Sequence, residues 1–193
     1  MKAERQYLAH FIDAAFDTTY AASTYVRLGD DLEEFNEELN PDVETKKNIL
    51  GSQSVQHSGY EVSSEVSPYY YSYDDELSEK IMDIAMNRKK GDACKTSQVD
   101  ALLKADGTVL KAWREDVYVI PDSVGGDTTG VQTPFTVYNA GNRVEGKFDL
   151  STKKFTVGAG VPAQMLLNVD EKLQHEATDS DYMNDPEKET EYE

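Results

Sequence analysis

The sequence predicts a mainly β protein with one α-helix, and three observations carry that prediction. Tyrosine is frequent, at 12 residues against a single Trp, a balance that suits strand faces and wet interfaces better than a Leu-rich helical bundle. Short runs alternate apolar and polar residues with a period of two, as in Tyr60, Val62, Ser64 and Val66. Only one stretch combines helical spacing with signals at both its ends.

Met1 to Ala15 holds Tyr7, Leu8, Phe11 and Ile12 and reads as either a short helix or an extended arm. Its charges at Lys2, Glu4 and Arg5 and its lack of a continuous apolar run argue against a signal peptide. From Leu28 to Leu39 the apolar residues Leu28, Leu32, Phe35 and Leu39 fall at helical spacing, although Phe35, Glu37 and Leu39 also alternate as in a strand. Asn40-Pro41-Asp42 stops either element, because the Pro ring cannot continue a ladder or a helix. Val43 to Gly59 is polar around Ile49-Leu50-Gly51 and reads as a long loop with one apolar point. The strand Tyr60 to Val66 comes next, closed by Pro68.

The helix is expected from Asp74 to Lys90. Leu77, Ile81, Ile84 and Ala85 form its stripe, acids crowd its first turn, and Gly91 stands where a C-cap glycine belongs. Beyond it, Val99 to Lys104 and Thr108 to Ala112 flank Ala105-Asp106-Gly107, a strong hairpin signal. Glu115 to Pro121 adds a strand, and Gly125 to Gly130 reads as a mobile polar connection. Phe135 and Val137 begin another strand that turns at Asn139 to Asn142. Val144 to Asp149 and Lys154 to Val157 make the last hairpin.

Charge bounds the function. The net charge is -18, which repels a polyanionic duplex and opposes adhesion to anionic membranes. Asp170 to Glu193 holds ten acids and two bases, a net of -8, and has too little apolar surface to fold alone. The chain therefore divides into a β domain over 1–160, with an N-terminal arm and a long loop near 40–59, and an acidic extension over 161–193. No run of about 18 apolar residues offers a membrane span, and the lone Cys94 has no disulfide partner. The expectation is a soluble protein made in a reducing cytoplasm.

Chemistry is sparse. His10, His57 and His175 fall in the arm, the loop and the tail without metal-ligand spacing, and read as solvated surface histidines. Cys94 reads as an ordinary, partly buried thiol. The acids from Asp30 to Glu44 read as a solvated face. Asp179-Ser180-Asp181 lacks the glycine and final glutamate of a calcium loop, and Gly125 to Gly130 lacks the lysine of a phosphate loop. No nucleophile, base and orienting group can be linked, so no catalytic residue, cofactor or metal is expected.

Several stretches nonetheless resemble a known family. Leu32-Glu33-Glu34-Phe35, the run Leu39 to Gly51, Ala112-Trp113-Arg114-Glu115-Asp116 to Pro121, and Gly125-Gly126-Asp127-Thr128-Thr129-Gly130-Val131-Gln132 are similar to tail tube (major tail) proteins of long-tailed phages and prophages of Firmicutes. The similarity spans about Met1 to Val157. It implies a β-sandwich of two small antiparallel sheets with a flanking helix, extended loops and arms, and places Leu28 to Leu39 in strands. It further implies a virion tail component, assembled in the host cytoplasm, whose hexameric rings stack into a hollow tube. DNA passes through that tube without specific binding and no membrane is involved. Its partners would be copies of itself and the tail terminator, tape measure and distal tail proteins.

Within that frame Asn48, Ile49, Leu50 and Gly51 are the candidate contact between rings. Asp31, Glu33, Glu34, Glu37 and Glu38 are the candidate acids facing the channel, where like charge would let DNA slide. Two alternatives stay open: the inner tube of a contractile tail or tailocin, and a calcium- or glycan-binding β-module.

Overall fold

The N-terminal stretch is a strand. In β1 (Leu8–Asp13) every residue after Leu8 is buried, because β1 lies inside a sheet, paired antiparallel to β2 (Tyr25–Leu28) on one side and to a later strand on the other. The computed structural model describes residues 2–158 apart from Thr18, Ala21, Ala22, Asp31 and Glu33. They belong to one unit, Met1–Gly158, and the acidic extension lies outside the described residues.

After β2 come β3 (Pro41–Lys47), β4 (Gln53–Tyr60), β5 (Ser63–Val66), α1 (Glu76–Met86), β6 (Lys95–Leu103), β7 (Val109–Pro121), β8 (Gly125–Asp127), β9 (Gly130–Gln132), β10 (Phe135–Asp149) and β11 (Lys154–Val157). The main sheet has seven strands, ordered β11-β10-β7-β6-β1-β2, with β5 also paired to β10; β3-β4 and β8-β9 form two-stranded ladders. Every pairing is antiparallel. The described residues are mainly β with one α-helix, as the alternation and the single helical stripe predict.

The main sheet is curled. Phe11 on β1 and Phe148 on β10 have ring centroids 4.8 Å apart, although β6 and β7 lie between their strands. In a flat sheet those strands would stand about 14 Å apart. Curling closes one face over Ala9, Phe11, Tyr25, Val99, Ala101, Ala112 and Phe148. The other face carries Ile12, Leu28, Val66, Val117, Val119, Phe135 and Val137, covered by Leu77 and Ile81 of α1 and by Phe35. Both cores follow from period-two alternation along the same strands.

Local chemistry corrects several boundaries. The helix starts at the Asp75 cap, whose Oδ1 accepts from Leu77 N at 3.0 Å. It ends at Asn87, short of the expected Lys90. The left-handed exit is made by Arg88 (φ 50°), with Lys89 N on Ile84 O at 3.0 Å, rather than by Gly91. The Asp106-Gly107 turn forms as expected, with Gly107 at φ 82° and Thr108 N on Asp106 Oδ1 at 2.9 Å. The expected turn at Asn139 to Asn142 is a bulge within one long strand, carried by Gly141 (φ 88°) and Asn142 (φ 62°). Gly125 to Gln132 is the small β8-β9 hairpin rather than an open connection.

The segment after Leu28 is neither the helix that spacing favours nor the strand that resemblance implies. Among its described residues only Glu38 makes a β-bridge, to Ser63. Leu32 and Phe35 reach the core individually, Phe35 buried at 7% exposure, while Leu39 stays exposed.

Gly146 offers a stability test. A Cβ there would lie 2.3 Å from Thr156 O and 2.5 Å from Phe155 Cζ, so Gly146→Ala has to push β11 off β10. Thermal unfolding should show a loss of about 1–3 kcal/mol, as for an overpacked site.

Candidate assembly surface and buried ionic cluster

The stretch expected as a loop is a projecting hairpin. β3 is exposed throughout, and in β4 every residue but Gly59 is exposed. Polar composition concealed these strands because neither face is covered, so neither needs an apolar row. Val43 pairs with His57 and Thr45 with Val55, which places Val43 and Val55, 50% and 65% exposed, on one face. Glu44 and Lys46 form an ion pair at 2.7 Å on the other, exposed enough to contribute at most about 1 kcal/mol.

Asn48 builds the hairpin tip. Its Oδ1 accepts from Leu50 N at 3.0 Å and Ser52 N at 2.9 Å, its carbonyl accepts from Gly51 N at 3.0 Å, and Gly51 takes φ 82° where a side chain would be strained. These bonds hold Ile49 and Leu50 in solvent, 102% and 85% exposed. The four residues predicted as a contact are therefore one built turn presenting an apolar pair. Among the described residues, two end strands of the main sheet, β2 and β11, add ladder edges paired on one side only.

The predicted channel acids separate. Glu34 and Glu38 are exposed, while Asp31 and Glu33 lie outside the described residues. Glu37 turns inward, its Oε1 accepting from Gln98 Nε2 at 2.7 Å.

That contact opens onto a cluster that sequence reading missed. Register places His10 opposite Asp100, and Gln98 opposite Glu115. His10 Nδ1 lies 2.8 Å from Asp100 Oδ1, which also accepts from Gln98 Nε2 at 2.8 Å. Arg143 donates through one nitrogen to Asp100 Oδ2 and through the other to Glu115 Oε2, each at 2.9 Å. His10 is buried and stacked on Phe35 at 4.5 Å, contrary to its expected solvation, because the arm is an inner strand. His57 is exposed, its ring edge-on to Tyr60; His175 lies outside the described residues. Cys94 is buried, and burial pushes its thiol pKa up.

Three carboxylates thus surround one guanidinium, and the electrostatics reflect it. Burial beside Asp100 pushes the Glu37 carboxyl up to about 7. Asp100, though costly to desolvate, is held below the usual carboxylate range by His10, Arg143 and Gln98. His10, Glu37 and Asp100 each place a ligand-capable atom within 4.8 Å of the others. A polar stripe on a central strand was the available signal: Thr96, Gln98 and Asp100 share one face of β6.

No known family profile matches this chain, and no curated protein does. Similar solved structures include a sheath/tube terminator of an extracellular contractile injection system (PVC) in its extended state, at 11% identity and a TM-score of 0.45, covering 76% of this chain and 98% of that one. A tube-terminating cap of the anti-feeding prophage is similar at 12% identity and 0.45, over 75% and 91%. A chain of the PVC sheath-tube complex is similar at 13% and 0.42, over 75% and 90%. All three scores fall below 0.5, so this chain's own geometry has to carry any assignment of function.

Proposed function

We propose that this chain is a non-enzymatic structural subunit that assembles with copies of itself into stacked rings, forming the tube of a phage tail. The observation that carries this reading is the β3-β4 hairpin. Two strands with both faces in water and an apolar tip do not stabilise themselves, and the surface is complete only against a partner. The half-paired edges of β2 and β11 supply a second, head-to-tail contact of the kind that closes rings. Glu34 and Glu38 fit a channel that repels DNA. Tail terminator, tape measure and distal tail proteins would meet the ends of such a tube.

Replacing Ile49 and Leu50 with Asn tests the reading. Both are exposed, so subunit stability should change by less than about 0.5 kcal/mol, whereas tubes formed at high concentration by the wild type should disappear in negative-stain micrographs. Tubes of normal length from the double variant would show that the tip is not the contact.

A further inference from the structure

We propose that the cluster on the helix-covered face of the sheet binds one divalent transition-metal cation, held by the imidazole of His10 and the carboxylates of Glu37 and Asp100. Such a site would exist whether or not the chain assembles. The three residues come from β1, the segment before β3 and β6, and their ligand-capable atoms lie within 4.8 Å of one another. The 2.8 Å between His10 Nδ1 and Asp100 Oδ1 is within about 0.2 Å of the roughly 3.0 Å separating adjacent ligands about an octahedral ion bound at about 2.1 Å. Mixed nitrogen and oxygen donors suit Zn²⁺ or Mn²⁺ rather than the all-oxygen preference of Ca²⁺.

Two further observations point to a ligand. The carboxyl groups of Glu37, Asp100 and Glu115 gather around a single guanidinium, that of Arg143, which bonds Asp100 and Glu115, and an uncompensated buried charge is costly. Orphaned polar atoms lie in the same place. His10 is 5% exposed and its Nε2 has no hydrogen-bond partner; Gln98 is 0% exposed and its Oε1 has none. Each of those side chains enters the cluster through its other polar atom: a water bound to the cation would donate to Gln98 Oε1, and with Nδ1 on the cation the ring proton sits on His10 Nε2, where a further water accepts it. A cavity of about 370 Å³, lined by Arg5, Leu28, Leu32, Glu34 and Phe35, reaches His10 from one side. Glu37 sits on irregular backbone and can close the remaining distance without breaking a ladder.

The experiment uses the full chain, freed of metal by chelation and exchanged into buffer at pH 8. Added ZnCl₂ or MnCl₂ should raise the melting temperature of the wild type and of Glu38→Gln, an exposed neighbour, by about 5 °C at saturation. Glu37→Gln, which keeps an acceptor for Gln98 and should fold, should show less than a fifth of that shift. As a second measurement, CoCl₂ should give a visible absorption band with the wild type and not with Glu37→Gln. Equal shifts in all three proteins would mean that the acidic surface binds metal generally, and no shift in any would mean that the cluster takes no cation; either result overturns the site.

Discussion

Arg143→Met should lower stability by about 3 kcal/mol in urea unfolding, with an unchanged m value. The guanidinium bonds Asp100 and Glu115, whose side chains are 3% and 9% exposed, and removing it leaves two buried carboxylates facing Glu37 without a countercharge. Breaking a buried pair by deleting one partner costs roughly 3–5 kcal/mol. The lower end applies because the Arg143 side chain is itself 37% exposed and water screens what remains. For a chain of this size the loss corresponds to about 6–12 °C in melting temperature. Arg143→Lys keeps the charge and loses the fork that reaches both acids at once, so it should fall between the two. A loss under about 0.5 kcal/mol for the Met variant would mean that water already reaches these carboxylates.

The pH dependence of metal-free protein carries the second large effect. The folded-state pKa of Glu37 is raised from its ordinary 4.5 to about 7, so the fold disfavours the ionised form. Below about pH 4.5 both folded and unfolded chains hold the proton and Glu37 costs nothing. Between 4.5 and 7 the unfolded chain releases it first, and stability falls as pH rises. Above 7 both states are ionised and the loss is constant, at about 2 kcal/mol once the half-exposed position is allowed for. Glu37→Gln removes the titration, so the difference between wild type and variant should grow from near zero at pH 4.5 to its full value by pH 7.5. A constant difference across that range would show that Glu37 ionises normally in the fold. Asp100 acts in the opposite sense, since its lowered pKa contributes stability that is lost as pH falls below the ordinary carboxylate range.

Much of the fold is legible in the sequence because it rests on local pattern. The stripe of Leu77, Ile81 and Ile84 marks the helix, Asp106-Gly107 marks the β6-β7 turn, and the alternation from Phe135 onward marks β10. Three features are not legible, each for a physical reason. The strands of the projecting hairpin bury nothing, so they leave no apolar period to read. Leu28, Leu32 and Phe35 mimic a helical stripe, yet they are anchors of an irregular segment whose backbone starts from Gly29 at φ 141°. The ionic cluster joins residues from β1, β6, β7, β10 and the segment before β3, and only strand register brings them together. The burial of His10 is hidden with it, because how deeply a terminal stretch sits depends on the neighbours it finds.

The hairpin also bears on how growth would be timed. Its backbone bonds are bathed in water and its side chains pack on nothing in the isolated subunit, so it should be the least protected unit in amide exchange, opening while the main sheet stays closed. Ordering it is then a cost met only on contact with a neighbour, and a lone pair of subunits recovers little of that cost. A growing end recovers more, because it offers several prepared sites at once. Subunits of this design would accumulate as free monomers, nucleate slowly and add rapidly to an existing template, so that length is governed by what starts the structure rather than by the abundance of its parts.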